Sequence, residues 1–317
     1  MSAPEAEDDS PIRYMARTRA WYLALGYDNP YRWAHHADAP FAPLSTPLAQ
    51  ARLALVVTAA PYQADKGDQG PGAPYNAAAK FYEVYSRACD EEADLRISHI
   101  AYDRAHNRAD DSGCWFPLPL LRRRAAEGRF RLAPRFHGLP TNRSRQRTEE
   151  ADAPDLVARL IADGADAAIF VPNCPVCHQS VSLAARAVEA AGIATVVMGC
   201  AKDIVEHVGV PRFLFSDFPL GNAAGRPNDP DSQALTLELA LRLLESARAP
   251  RTTIVSPLRW SDSSEWKRDY CTVDRLTPEE IQRRRAEFDA GKAVAHGILA
   301  AQTGPQSGPQ TGRGGGA

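Results

Sequence analysis

Between residues 153 and 247, short unbroken apolar runs alternate with amphipathic segments of helical period, a pattern that a doubly wound parallel sheet satisfies and few other arrangements do. Ala167-Ala168-Ile169-Phe170-Val171-Pro172, the run Ile193 to Gly199, and Arg212-Phe213-Leu214-Phe215-Ser216 lack the polar alternation of a half-exposed strand. Each therefore reads as a strand buried on both faces. The segments 153–163, 178–191, 202–208 and 231–247 read as helices, with Gly164 and Gly192 where glycine commonly ends one.

The first half is less regular. Leu53-Ala54-Leu55-Val56-Val57-Thr58 reads as a buried strand and is followed by a Gly/Pro-rich loop from Ala59 to Pro74. A second strand is expected over Leu95–Ile100 and a short helix over Leu120–Glu127, with Phe136–Asn142 as a loop. The expected class is α/β, two flavodoxin-like or Rossmann-like lobes with mainly parallel sheets and a site between them. The boundaries are an N-terminal lobe over 12–150, a second lobe over 151–250 and a helical extension over 251–300. Residues 1–11 are acidic and 301–317 are low in complexity, so both ends are expected to be disordered.

A chain of 317 residues with 44% hydrophobic content can fill such cores without covalent staples. Its formal charge of −2 offers no broad basic field, so neither nucleic acid nor a membrane surface is an expected partner. The N-terminus has no basic segment followed by an apolar one and no membrane-length apolar run follows, which makes the cytoplasm the expected compartment.

Six cysteines are present and only Cys174 and Cys177 are close together, in Val171-Pro172-Asn173-Cys174-Pro175-Val176-Cys177-His178-Gln179-Ser180. Sequence order puts them between a buried strand and a helix, beyond the carboxyl end of a parallel strand, where doubly wound sheets bind ligands. Unsatisfied N–H groups and the macrodipole at a helix N-terminus favour a thiolate, and a protonated His178 would add to the effect. A spacing of three lets Cys177 resolve an adduct or oxidised form of Cys174 as a disulfide. Two other readings stand beside this one. The pair is half of a structural or sensory metal site, although Cys89, Cys114, Cys200 and Cys271 are scattered singly, or it is packed core cysteine.

The segment from Cys174 through Leu183, continued by Ala185-Arg186-Ala187-Val188-Glu189-Ala190-Ala191-Gly192-Ile193, resembles the active-site segment of the selenoprotein B family of glycine, sarcosine, betaine and D-proline reductases, the D-proline reductase subunit in particular. Further similarity runs through Tyr22–His35, Trp115–Pro119, Arg135–Arg143 and Asp217–Pro227, over most of residues 12–247. In that family selenocysteine commonly takes the place of Cys174. The resemblance implies reductive cleavage of a small amino-acid-like substrate at an activated bond next to a carboxylate, with Cys174 as nucleophile, Cys177 as resolving thiol and His178 assisting. It also implies an external dithiol as reductant and a carbonyl-bearing partner subunit that captures the substrate. Sulfur for selenium raises the nucleophile's pKa and makes it a poorer leaving group, which weighs against the family's hardest substrates.

Other residues are expected to contact substrate. His99, Asp103 and His106 follow a strand end, His137 and Arg143 suit a carboxylate, and Asp217 precedes the turn containing Gly221 and Gly225. The aromatic stretch Trp21–Tyr27 reads as core or subunit-interface packing, and a homo-oligomer is expected. Neither a Gly-x-Gly-x-x-Gly nor a Walker pattern occurs, so no nucleotide cofactor is expected. Racemisation by Cys174 with a cysteine of the first half is a third reading, and it would survive loss of Cys177.

Overall fold

The computed structural model describes residues 9–28, 31–141 and 144–302. Its elements in chain order are α1 (Tyr14–Ala24), β1 (Arg52–Val57), β2 (Ala60–Pro61), β3 (Tyr85–Ala88), β4 (Leu95–Arg96), α2 (Leu118–Ala126), β5 (Arg131–Leu132), β6 (Arg135–Gly138), α3 (Arg145–Arg147), α4 (Ala153–Ala162), β7 (Ala167–Val171), α5 (Pro175–Ala190), β8 (Ala194–Gly199), α6 (Lys202–Val208), β9 (Arg212–Phe215), α7 (Pro230–Ser246), β10 (Thr252–Val255) and α8 (Pro278–Gln302). A π-helical stretch over Thr148–Asp152 joins α3 to α4.

The α/β class with a mainly parallel sheet is as expected. Strands from both expected lobes, however, hydrogen-bond into one eight-stranded sheet of order β10-β9-β8-β7-β1-β6-β3, with β5 also on β1. One sheet forms because β1 pairs in parallel with β7 over five residues, Leu53 with Ala167 through Val57 with Val171. The segments expected as two lobes thus contribute strands to one shared sheet. At its edge β3 runs antiparallel to β6, and β2 and β4 form a separate two-stranded pair.

The unbroken apolar runs are explained by the layers. Leu53, Leu55, Val57, Ile169, Val171, Val196 and Met198 face one core, together with Leu237, Leu241 and Leu244 of α7. Ala54, Val56, Ala168, Phe170 and Val197 face the other, with Leu156 and Leu160 of α4 and Val181, Ala184, Ala185 and Val188 of α5. A strand with both faces covered has no position for a polar residue, and each fully buried aliphatic side chain contributes about 1.5–3 kcal/mol. One exception is ionic. Glu189 of α5 pairs with Arg212 of β9 at 2.7 Å, both fully buried, and its oxygens also accept from Thr195 N, Thr195 Oγ1 and Ala42 N.

The order of strands reverses around β1, with β6 on one side and β7 on the other, which makes the carboxyl ends of β1 and β7 the switch point of the sheet. The expected helical extension over 251–300 first contributes β10, which pairs with β9, before it becomes α8. Asp9, inside the N-terminal segment expected to be disordered, pairs with Lys267 and Arg259. Residues 1–8 and 303–317 lie outside the described residues, and among those described no helix is long and apolar enough to cross a membrane.

Candidate active site

Cys174 stands at the switch point as the N-cap of α5, with extended backbone and Pro175 in the first turn. Proline suits that place because its missing N–H has no partner there in any case. The helix therefore starts at Pro175, three residues before the expected His178. Cys174 and Cys177 are joined as a disulfide with Cα atoms 4.9 Å apart, and Cys177 N–H donates to Cys174 Sγ at 3.2 Å. Such an N–H stabilises a thiolate once the pair is reduced.

His178 is fully buried. Its Nδ1 lies 2.7 Å from the Cys174 carbonyl, and its Nε2 accepts from Cys200 N–H at 2.9 Å. These partners require a proton on Nδ1 and a lone pair on Nε2, so the ring is neutral, and burial pushes its pKa down to about 4. His178 fixes the Cys174 backbone against the loop after β8. The ring needs Gly199 beside it, since a Cβ there would stand 2.9 Å from the imidazole.

Buried polar groups surround the dithiol. Asn173 Nδ2 donates to Thr58 Oγ1 at 3.3 Å, bridging the ends of β7 and β1, while Asn173 Oδ1 has no partner. Thr141 Oγ1 lies 4.0 Å from Cys174 Sγ. His99, in the turn after β4, is buried and meets the ring of Phe81 edge-on at 5.7 Å. Its nitrogens have no well-formed hydrogen bond, although the Thr58 backbone is close enough to oppose in part the effect of burial, which takes its pKa to about 3.

Cys174 also lines a cavity of about 370 Å³ whose walls include Trp21, Tyr22, Tyr27, Tyr31, Tyr270 and Phe288. The aromatic stretch expected to be core or interface packing therefore forms a chamber over the dithiol. Gln179, one turn along from Cys174, holds Tyr31 through its Nε2 and Ala34 N–H through its Oε1, which ties this segment to α5. Phe288 and Lys292 bring α8 across the chamber, and Cys271 also lines it.

Of the remaining expected site residues, those among the described residues do not line this chamber. Asp103 Oδ2 is 3.0 Å from His106 Nδ1, and His106 Nε2 is 3.2 Å from Asp269, so this set ties the C-terminal segment to the 103–107 turn. Burial raises the pKa of Asp103. His137 sits on β6, which replaces the expected loop, and turns toward Ser86 Oγ at 2.9 Å and Asp163 at 3.1 Å. Asp217 pairs with Lys267 at 2.6 Å. Gly225 closes a turn in which a Cβ would press into the backbone of Gln233. Arg143 lies outside the described residues. Among the described residues no group of three His, Cys, Asp or Glu side chains is placed to hold a metal ion. Cys89 and Cys114, the first-half cysteines, are buried and do not line the chamber.

Comparison with known proteins finds a similar curated protein. The chain is 32% identical over 142 residues to the D-proline reductase subunit gamma of Acetoanaerobium sticklandii, a stretch that is 44% of this chain and 58% of that protein. It thus spans less than two thirds of the relative's length. No protein-family model matches, and neither does any solved structure.

Proposed function

We propose that this chain is the dithiol-bearing component of a cytoplasmic reductase that cleaves a small amino-acid-like substrate, working with a partner reductase subunit. The observation that carries the reading is the Cys174–Cys177 disulfide at the switch point, with Cys174 on a chamber of substrate size. Similarity to a protein named as a subunit of D-proline reductase supports the reaction class and the partner.

In the reduced enzyme, Cys174 Sγ attacks the activated carbon and the C–N bond breaks, its electron pair leaving on nitrogen, which takes a proton. Cys177 Sγ then attacks Cys174 Sγ, and the carbon departs with the electrons of the S–C bond and is protonated. The products are a C–H bond, an N–H bond and the disulfide. An external dithiol returns two electrons and two protons. Cys174 is assigned as nucleophile because it lines the chamber, and Cys177 as resolver because it does not. His178 is a positioning residue, and the α5 N-terminus supplies the thiolate stabilisation.

The test is limiting alkylation at neutral pH after reduction, mapped by mass spectrometry, with a matched sample treated with mild oxidant. Cys174 is expected to react first and to be protected after oxidation, and a Cys177→Ser variant is expected to accumulate a substrate adduct on Cys174. Uniform slow labelling that oxidation leaves unchanged would end the reading.

A further inference from the structure

Among the described residues lining the chamber, Lys292 is the one cation and none is acidic. Its ammonium stands 4.6 Å from the ring centroid of Phe288 and 4.8 Å from that of Tyr27, both of which line the same space. Lys292 is solvent-exposed, and the two ring faces hold its charge against the chamber wall. Among the described residues no carboxylate is within ion-pair distance of it. Asp289, on the turn of α8 before it, is engaged by the Tyr27 hydroxyl at 2.7 Å and faces Arg285 Nε at 4.0 Å.

A chamber with aromatic walls, a reactive sulfur at one side and an unpaired ammonium at another is asymmetric in charge. It can pair an anion, but its described lining residues include no acidic group for a free ammonium, which would also meet Lys292 as a like charge. We infer that Lys292 is the anion-binding residue of the dithiol site and that the substrate reaches Cys174 as an organic monoanion, an apolar-bodied carboxylate whose nitrogen is not a free ammonium. This deepens the reductase reading of the same site and rests on it. It also gives α8 a part in the site, although α8 lies outside the segment that resembles the reductases.

The experiment is calorimetric titration of the oxidised full-length protein with three probes of one skeleton: phenylacetate, phenylacetamide and phenylglycine. Because no turnover is needed, its outcome is separate from the alkylation test of the dithiol. Phenylacetate is expected to bind about two- to fivefold more tightly than the amide or the zwitterion, the worth of one ion pair to an exposed lysine. Lys292→Gln should bring phenylacetate to the level of the amide without changing the amide, and Lys292→Arg should keep the preference. Equal binding of acid and amide, equal binding of phenylglycine, a preference that survives Lys292→Gln, or no binding of any probe would each overturn the inference.

Discussion

His178 gives a sharp test of how the site is held. Its folded pKa is about 4 against an ordinary 6.5, because burial disfavours the imidazolium. A depressed histidine stabilises the fold fully above the unfolded pKa and loses that contribution as pH falls. Between pH 6.5 and 4 the unfolded chain takes up a proton that the folded chain refuses, which costs about 1.4 kcal/mol per pH unit and about 3 kcal/mol in all. At pH 4.5 the loss from this residue is about 2.5 kcal/mol. Urea unfolding of the oxidised protein at pH 7.5, 6.5, 5.5 and 4.5 reads the slope directly. His178→Gln should be less stable at pH 7.5 by about 1–3 kcal/mol, for the hydrogen bonds it disturbs to the Cys174 carbonyl and Cys200 N–H. Below pH 6.5 its curve should be shallower than the parent's by the equivalent of one proton. His99 and the carboxylates titrate in both proteins, so the difference isolates His178. Parallel curves would refute the neutral, doubly tethered ring.

Two further outcomes follow from the packing. Glu189→Ala strands the Arg212 guanidinium in a fully buried place and should cost about 3–5 kcal/mol by chemical denaturation, part of which Arg212→Met in the same chain should restore. Gly199→Ala drives a methyl against the His178 ring and should cost about 1–3 kcal/mol, and the alkylation rate of reduced Cys174 should shift with it, since the ring carries the Cys174 carbonyl.

Much of the second half was legible because strands buried on both faces leave an uninterrupted apolar run. β7, β8 and β9 begin and end within a residue or so of where composition places them. β6 was hidden for the opposite reason. Arg135-Phe136-His137-Gly138 is half polar, and its histidine faces Ser86 and Asp163 from distant segments. β10, an edge strand half open to solvent, carries no buried signature, and the strand expected over 95–100 shortens to two residues because Ser98 and His99 turn. The dithiol could be read from its spacing. Its chamber could not, because Tyr31, Tyr270 and Lys292 meet only through folding, and Lys292 in a polar helix looks like any solvated lysine.

The pairing at the centre of the sheet bears on how the chain is made. Val56 pairs with His137 and Val57 with Val171, so β1 leaves the ribosome long before either neighbour exists. Such non-local pairing is slow, and meanwhile a strongly apolar strand has both edges open to any other chain. Bound chaperone is therefore expected on nascent chains that stop short of β7, and its release once α5 has been added and the dithiol has its helix.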